Sequence, residues 1–174
     1  AMLTRSLSTA ALALAVGTAA YFLAKPAPPG LTVGAVAPDF RLADLSGRTA
    51  ALADYKGKVV LVDFWATWCS SCEAELPVLR KLHATYPAGD FALLAVAVDD
   101  SGPDVVARYA AEKALPYRVL FADEATPKAY RIYGLPTKFL IGRDGTIVRK
   151  YLDPPPPAAL EADIQAALEP RRPA

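Results

Sequence analysis

Two cysteines and one histidine are the only soft metal ligands besides a single methionine in these 174 residues. A closed zinc site takes about four ligands, so the chain is short of donors. His83 lies eleven residues after Cys72. On a continuous helix that separation is ~16 Å, too far for one shared site and too far for His83 to act as a base toward either thiol. Two cysteines cannot build a disulfide framework. Cys69 and Cys72 stand three positions apart, and a bond between them closes too small a loop to remove much entropy from the unfolded chain. Copper(I) held by two thiolates is the metal reading that survives. An excess of either charge is also lacking: the formal net charge is +1. Lys and Arg are scattered rather than clustered, which argues against a nucleic-acid partner.

Charge is missing altogether from Ser6 to Ala24. Residues 7–24 read LSTAALALAVGTAAYFLA, with Arg5 before them and Lys25 after. Eighteen helical residues span ~27 Å, close to the ~30 Å of a hydrocarbon core. Residues 1–24 are therefore expected to be a signal peptide or an N-terminal membrane anchor. A cleaved signal would be cut before Tyr21; an anchor would keep the N-terminus inside. Anchoring by residues 7–24 is the preferred reading. Residues 25–32, with the run KPAPPG, are expected to form a Pro-rich spacer. Residues 33–174 are expected to form one domain, for which the 53% hydrophobic content supplies a core. Either N-terminal reading puts that domain outside the cytoplasm, where disulfides persist.

Within the domain, Phe40–Leu52 flanks a Ser-Gly turn with apolar positions and reads as a hairpin. KVVLVDFW (58–65) and FALLAVAV (91–98) are nearly unbroken β-formers, as expected of strands covered on both faces. From Ser70 the spacing of Leu76, Leu79 and Leu82 predicts a helix running to about Tyr86. Further helices are expected over 104–113 and 127–133, with a short strand over 117–121 between them. TKFLIGRDGTIVRKY (137–151) is a hairpin about Arg143-Asp144-Gly145, and a last helix follows Pro157. This order implies a central mixed β-sheet with helices on both faces.

Cys69 falls where a buried strand gives way to a helix. Backbone N–H groups there favour negative charge, and the thiolate is the reactive form of cysteine. Cys72 sits one turn on. The pair suits two-electron exchange: Cys69 attacks a disulfide, and Cys72 then displaces the substrate from Cys69. Ser70 and Ser71 lack a local histidine to activate them as nucleophiles. They are read as shaping the helix start and donating weak hydrogen bonds to the Cys69 sulfur. Cys72 must exchange protons, and two carboxylates stand near. Glu75 is one helical turn from Cys72. Asp63 interrupts a buried apolar run, where an acid without a task is costly. Pro136, just before a strand, marks the strand's start or a cis turn.

VGAVAPDFRLADLSG, DYKGKVVLVDFWATWCSSCEAELPVL, FALLAVAVDD and YGLPTKFLIGRDGTIV together resemble the thioredoxin superfamily. Within it they resemble the TlpA/ResA/CcmG-like thiol–disulfide oxidoreductases. The resemblance runs from about Val33 to Leu168. It implies an α/β thioredoxin fold with an N-terminal β-hairpin and a TlpA/ResA-type insertion over Asp99–Asp123. It implies an exposed attacking Cys69, a buried resolving Cys72, and a cis-Pro136 facing them. Trp68, Leu135 and Pro136 are the expected substrate-binding residues. Cys69, Cys72, Glu75 and Asp63 are the expected catalytic ones. Glu75 matches the acid of the ResA-like branch. Asp63 matches the buried aspartate of thioredoxin itself, where ResA-like members commonly have Asn, so two acids compete for the proton. The Ser70-Ser71 pair matches neither the Gly-Pro of thioredoxin nor the Pro-His of DsbA. The resemblance implies protein disulfides as substrates, such as apocytochrome c or a copper-site protein, and a membrane electron donor of CcdA/DsbD type. No cofactor is called for beyond the cysteine pair. The rival is a copper(I) chaperone. The peroxiredoxin pattern P-x-x-x-T/S-x-x-C is not met at either cysteine: Val62 and Ala66 precede Cys69, Trp65 and Cys69 precede Cys72.

Overall fold

The structure, a computed structural model, describes residues 31–169. The expected signal or anchor at 1–24, the spacer up to Gly30 and the tail from Pro170 lie outside the described residues. Among the described residues no helix is long and apolar enough to cross a membrane.

The chain opens with an antiparallel pair, β1 (Arg41–Ala43) and β2 (Thr49–Ala51). β3 (Val59–Trp65) is buried along its whole length. It leads through a short turn into α1 (Ser70–Ala74) and α2 (Leu76–Thr85). β4 (Phe91–Ala97), α3 (Pro103–Glu112), β5 (Arg118–Phe121) and α4 (Ala125–Ala129) follow. The chain closes with β6 (Thr137–Ile141), β7 (Ile147–Tyr151) and α5 (Pro157–Leu168). The five-stranded sheet has the order β5-β4-β3-β6-β7. β3, β4 and β5 are parallel; β6 runs antiparallel to β3, and β7 to β6. Gly145, at φ 83°, takes the left-handed position of the β6–β7 turn, which a side chain would strain.

Alternation along the strands divides the core in two. Val59, Leu61 and Trp65 point to the side of α1 and α2, where they join both cysteines, Leu79 and Leu82. Val60, Val62 and Phe64 point to the other side and pack with Phe40, Leu42, Tyr130 and Phe139. The period of two therefore puts Asp63 on the cysteine side. The same parity on β6 puts Lys138 there with Leu140, since Phe139 and Ile141 belong to the opposite cluster.

Two expectations are corrected. The helix after Ser70 is not continuous. It breaks at Glu75, which ends α1 and begins α2, with Pro77 in the new first turn. Proline has no N–H to bond back to the preceding turn. The short helix expected over 127–133 is α4 at 125–129. Asp123 accepts the Thr126 N–H at 2.7 Å and starts it early, and Arg131 ends it at φ 52°. The β1–β2 hairpin closes the free edge of β5 through an Asp44–Leu120 bridge. Arg118 reinforces it, donating to Asp44 at 3.1 Å and to the Tyr55 hydroxyl at 3.0 Å.

Candidate active site

Cys69 and Cys72 are joined by a disulfide, S–S 2.08 Å, with Cα atoms 5.3 Å apart. Cys69 is the N-cap of α1, and its sulfur accepts the Cys72 N–H at 3.2 Å. The Ser71 hydroxyl lies 3.4 Å from the same sulfur, the contact that was expected of both serines. Helix-start donors thus converge on the Cys69 sulfur, a position that favours negative charge. The expected contrast in exposure is not present in the disulfide form: Cys69 is 6% exposed and Cys72 5%. What sets Cys69 apart is its place at the cap.

The turn carrying Cys69 is pinned from β4. Asp99, just past the strand end, accepts both the N–H and the hydroxyl of Thr67 at 2.6 Å. Burial alone would raise the Asp99 carboxyl, but these bonds and those from Ser101 outweigh it and hold its pKa below the ordinary value. Trp68 is 64% exposed beside Cys69. The Leu135–Pro136 peptide is cis. Leu135 packs against the cluster that holds both cysteines, and the Thr137 hydroxyl ties the loop back by donating to the Gly134 carbonyl at 2.7 Å. Tyr133, three residues before Pro136, is the most exposed aromatic residue described.

The two acids meet on a third residue. Lys138 is 1% exposed, Asp63 3% and Glu75 7%. The Lys138 ammonium donates to Glu75 Oε2 at 2.7 Å and lies 2.9 Å from Asp63 Oδ1. Asp63 and Lys138 are direct cross-strand partners between β3 and β6. Burial pushes the Glu75 carboxyl above its ordinary pKa; Lys138 opposes the shift and Asp63 adds to it. Burial works to lower the Lys138 pKa, but the two carboxylates outweigh it and raise it, so the ammonium stays charged.

Asp63, and not Glu75, shares the wall of a small cavity with the resolving cysteine. A cavity of about 10 Å³ is lined by Asp63, Cys72, Trp65, Leu76, Tyr109 and Tyr117 among others. That is room for about one water. Asp63 Oδ1 and Trp65 Nε1 have no well-aligned hydrogen-bond partner among the described residues. Both residues belong to the wall of that small space.

His83 stands apart, its ring 6.1 Å from that of Tyr117. Among the described residues no group of three or more His, Cys, Asp or Glu side chains could hold a metal ion. Sequence reasoning missed two members of the site. Lys138 was legible as a charge inside the buried run TKFLI, the same signal that singled out Asp63. Asp99 stood in FALLAVAVDD without a visible partner.

Residues 33–150 match the AhpC/TSA family. The chain belongs to that family. A thiol–disulfide oxidoreductase ResA from Geobacillus thermodenitrificans is 37% identical over 118 residues, 67% of each chain. A ResA from Bacillus cereus is 33% identical over 137 residues, 78% of each. The fold matches a candidate thiol:disulfide interchange protein DsbE from Chlorobium tepidum. Its TM-score is 0.75 and its identity 35%, over 80% of this chain and 100% of that one. The family member described here is a thiol–disulfide oxidoreductase of ResA/DsbE type, with Cys69 and Cys72 as its cysteine pair.

Proposed function

We propose that this oxidoreductase works in the reducing direction on protein disulfides, outside the cytoplasm, tethered by residues 7–24. The observation that carries the reading is the carboxylate at the resolving cysteine: Asp63 and Cys72 wall the same one-water space. Such a group can move the proton that the resolving step requires. The Cys69 thiolate attacks a substrate disulfide, that bond breaks, and one substrate sulfur leaves as a thiolate. Asp63 takes the Cys72 proton, through a water in the cavity or directly. The Cys72 thiolate attacks Cys69, the mixed disulfide breaks, and the second substrate sulfur leaves. Two electrons have passed from the dithiol to the substrate, and the departing thiolates take up protons. An external dithiol must restore the pair. A membrane donor of CcdA/DsbD type suits a tethered enzyme.

Trp68, Leu135 and Pro136 form the docking surface for the substrate chain in this reading. The candidates are apocytochrome c and copper-site proteins in oxidase assembly. The charge-free run at 7–24 supports the tether.

The test uses the full chain and insulin as a disulfide substrate. Cys69→Ser should abolish reduction, and Cys72→Ser should accumulate mixed disulfides. Undiminished turnover by Cys69→Ser would overturn the reading. The reduction potential of the pair decides direction. A value near or below about −230 mV is that of a thioredoxin-like reductant, and one near about −120 mV that of a strong oxidant.

A further inference from the structure

Three charges are buried together behind the disulfide, and they do not balance. Asp63 and Glu75 each carry a negative charge when ionised, and Lys138 carries one positive. The cluster comes from three elements. Asp63 lies on β3, Glu75 at the α1–α2 junction, and Lys138 on β6 two residues past Pro136. Cys72 of α1 lines one small cavity with Asp63, and Tyr109 of α3 and Tyr117 before β5 share its wall. Burial pushes both tyrosines above their ordinary pKa, so they stay neutral through the acid and neutral range. Arg80 of α2 acts on those tyrosines from further out. The ions at the centre are thus two carboxylates and one ammonium.

Two like charges sharing a buried site cannot both ionise cheaply. With one ammonium between them, one carboxylate is neutralised and the other remains to exchange a proton. We propose that Lys138 is a positioning residue for the exchange reaction: it limits the buried centre to one exchangeable proton beside Cys72. The proposal rests on the reductase reading. In that reading the resolving step transfers one proton from the Cys72 thiol to a carboxylate, the Cys72 sulfur then forms its bond to Cys69, and the substrate leaves as a thiolate. Without Lys138 the centre keeps a proton on its carboxyl pair to higher pH, and the base is missing when the thiol must be deprotonated. The two carboxyls titrate as a pair, so the effect appears in the apparent acid limb of the reaction rather than at one named oxygen. The cation also shares its strand with the cis-proline loop, which joins the loop expected to meet substrate to the proton centre.

The experiment is a pH profile of the single-turnover oxidation of the reduced full chain by a small aromatic disulfide. In Lys138→Met the acid limb should move up by ~1–2 pH units, the size of an opposite-charge effect at this range. Activity measured just above the parent's limb should fall about tenfold or more. Should Lys138→Met fail to fold, Glu75→Gln and Glu75→Gln/Lys138→Met make the same comparison without a second buried carboxylate. The double variant's limb should lie above that of the single by ~1–2 units. Coincident limbs in that pair, with both variants folded, would overturn the proposal. So would a Lys138→Met variant that loses stability but keeps the parent's profile. A parent chain that fails to reduce insulin would overturn the reductase reading instead, and the two failures are read from different measurements.

Discussion

Lys138→Met should strongly destabilise the oxidised chain, whereas replacing the whole cluster should not. Lys138 is 1% exposed and sits 2.7 Å and 2.9 Å from two carboxylates that are themselves buried. Removing one partner of a buried ion pair leaves uncompensated charge and costs ~3–5 kcal/mol. Here the loss leaves two carboxylates facing each other, so the upper half of that range is expected. Methionine matches the lysine stem closely, so little of the effect is lost packing. A domain of this size is stable by only ~5–15 kcal/mol, and the midpoint of thermal unfolding should fall by ~10 °C or more. The triple variant Asp63→Asn/Glu75→Gln/Lys138→Met removes the charges together with their desolvation cost. It should lie within ~1 kcal/mol of the parent or above it. Urea unfolding of the three proteins, oxidised and at neutral pH, makes the comparison, with equal slopes required. A Lys138→Met variant as stable as the parent would refute the argument, because the ammonium would then be neither buried nor paired. A triple variant as damaged as the single one would refute it too, by assigning the loss to shape rather than charge.

Asp99→Ala should slow thiol exchange and cost about 1.5–3 kcal/mol, because two donors of Thr67 lose a charged acceptor; unchanged exchange kinetics would show that the Cys69 turn holds itself. The Asp44 carboxyl accepts from the Ser46 hydroxyl and N–H, the Arg48 N–H and Arg118, and the Ser46 hydroxyl is the largest of the causes that hold its pKa well below the usual carboxylate range. Its folded pKa is depressed, so its contribution is present above the unfolded value of about 3.9 and lost as pH falls toward the folded one. Asp44→Asn should therefore lower stability at neutral pH and flatten its fall in acid. An acid-unfolding curve identical to the parent's would contradict this. Glu75 has the opposite sign. Its raised pKa favours the folded state at low pH and loses that contribution as pH rises through the folded value, so Glu75→Gln should shrink the decline of stability toward neutral pH, measured by the same unfolding series.

Local pattern determined much of this protein. Nearly unbroken runs of β-formers mark β3, β4 and β6 because strands covered on both faces are mostly apolar on both. Gly145 marks a turn because few other residues accept its backbone. Cys69 reads as chemistry because a strand, a turn and a helix start are all visible within about ten residues. Even Asp63 was legible, since a charge inside such a run has to be explained. The tertiary structure decided what these residues meet. Lys138 and Glu75 are 63 positions apart, and Asp99 and Thr67 are 32 apart. No local periodicity relates them. The first pair is brought together by the choice of β6 as the antiparallel neighbour of β3 and the register that sets Lys138 opposite Asp63, the second by the parallel pairing of β3 with β4. A slip of one residue would have turned the lysine to the other face. Pro77 also had its effect only in three dimensions. The break it forces at Glu75 ends one helix, begins another, and leaves the carboxyl at the junction in reach of a strand that the sequence places far away.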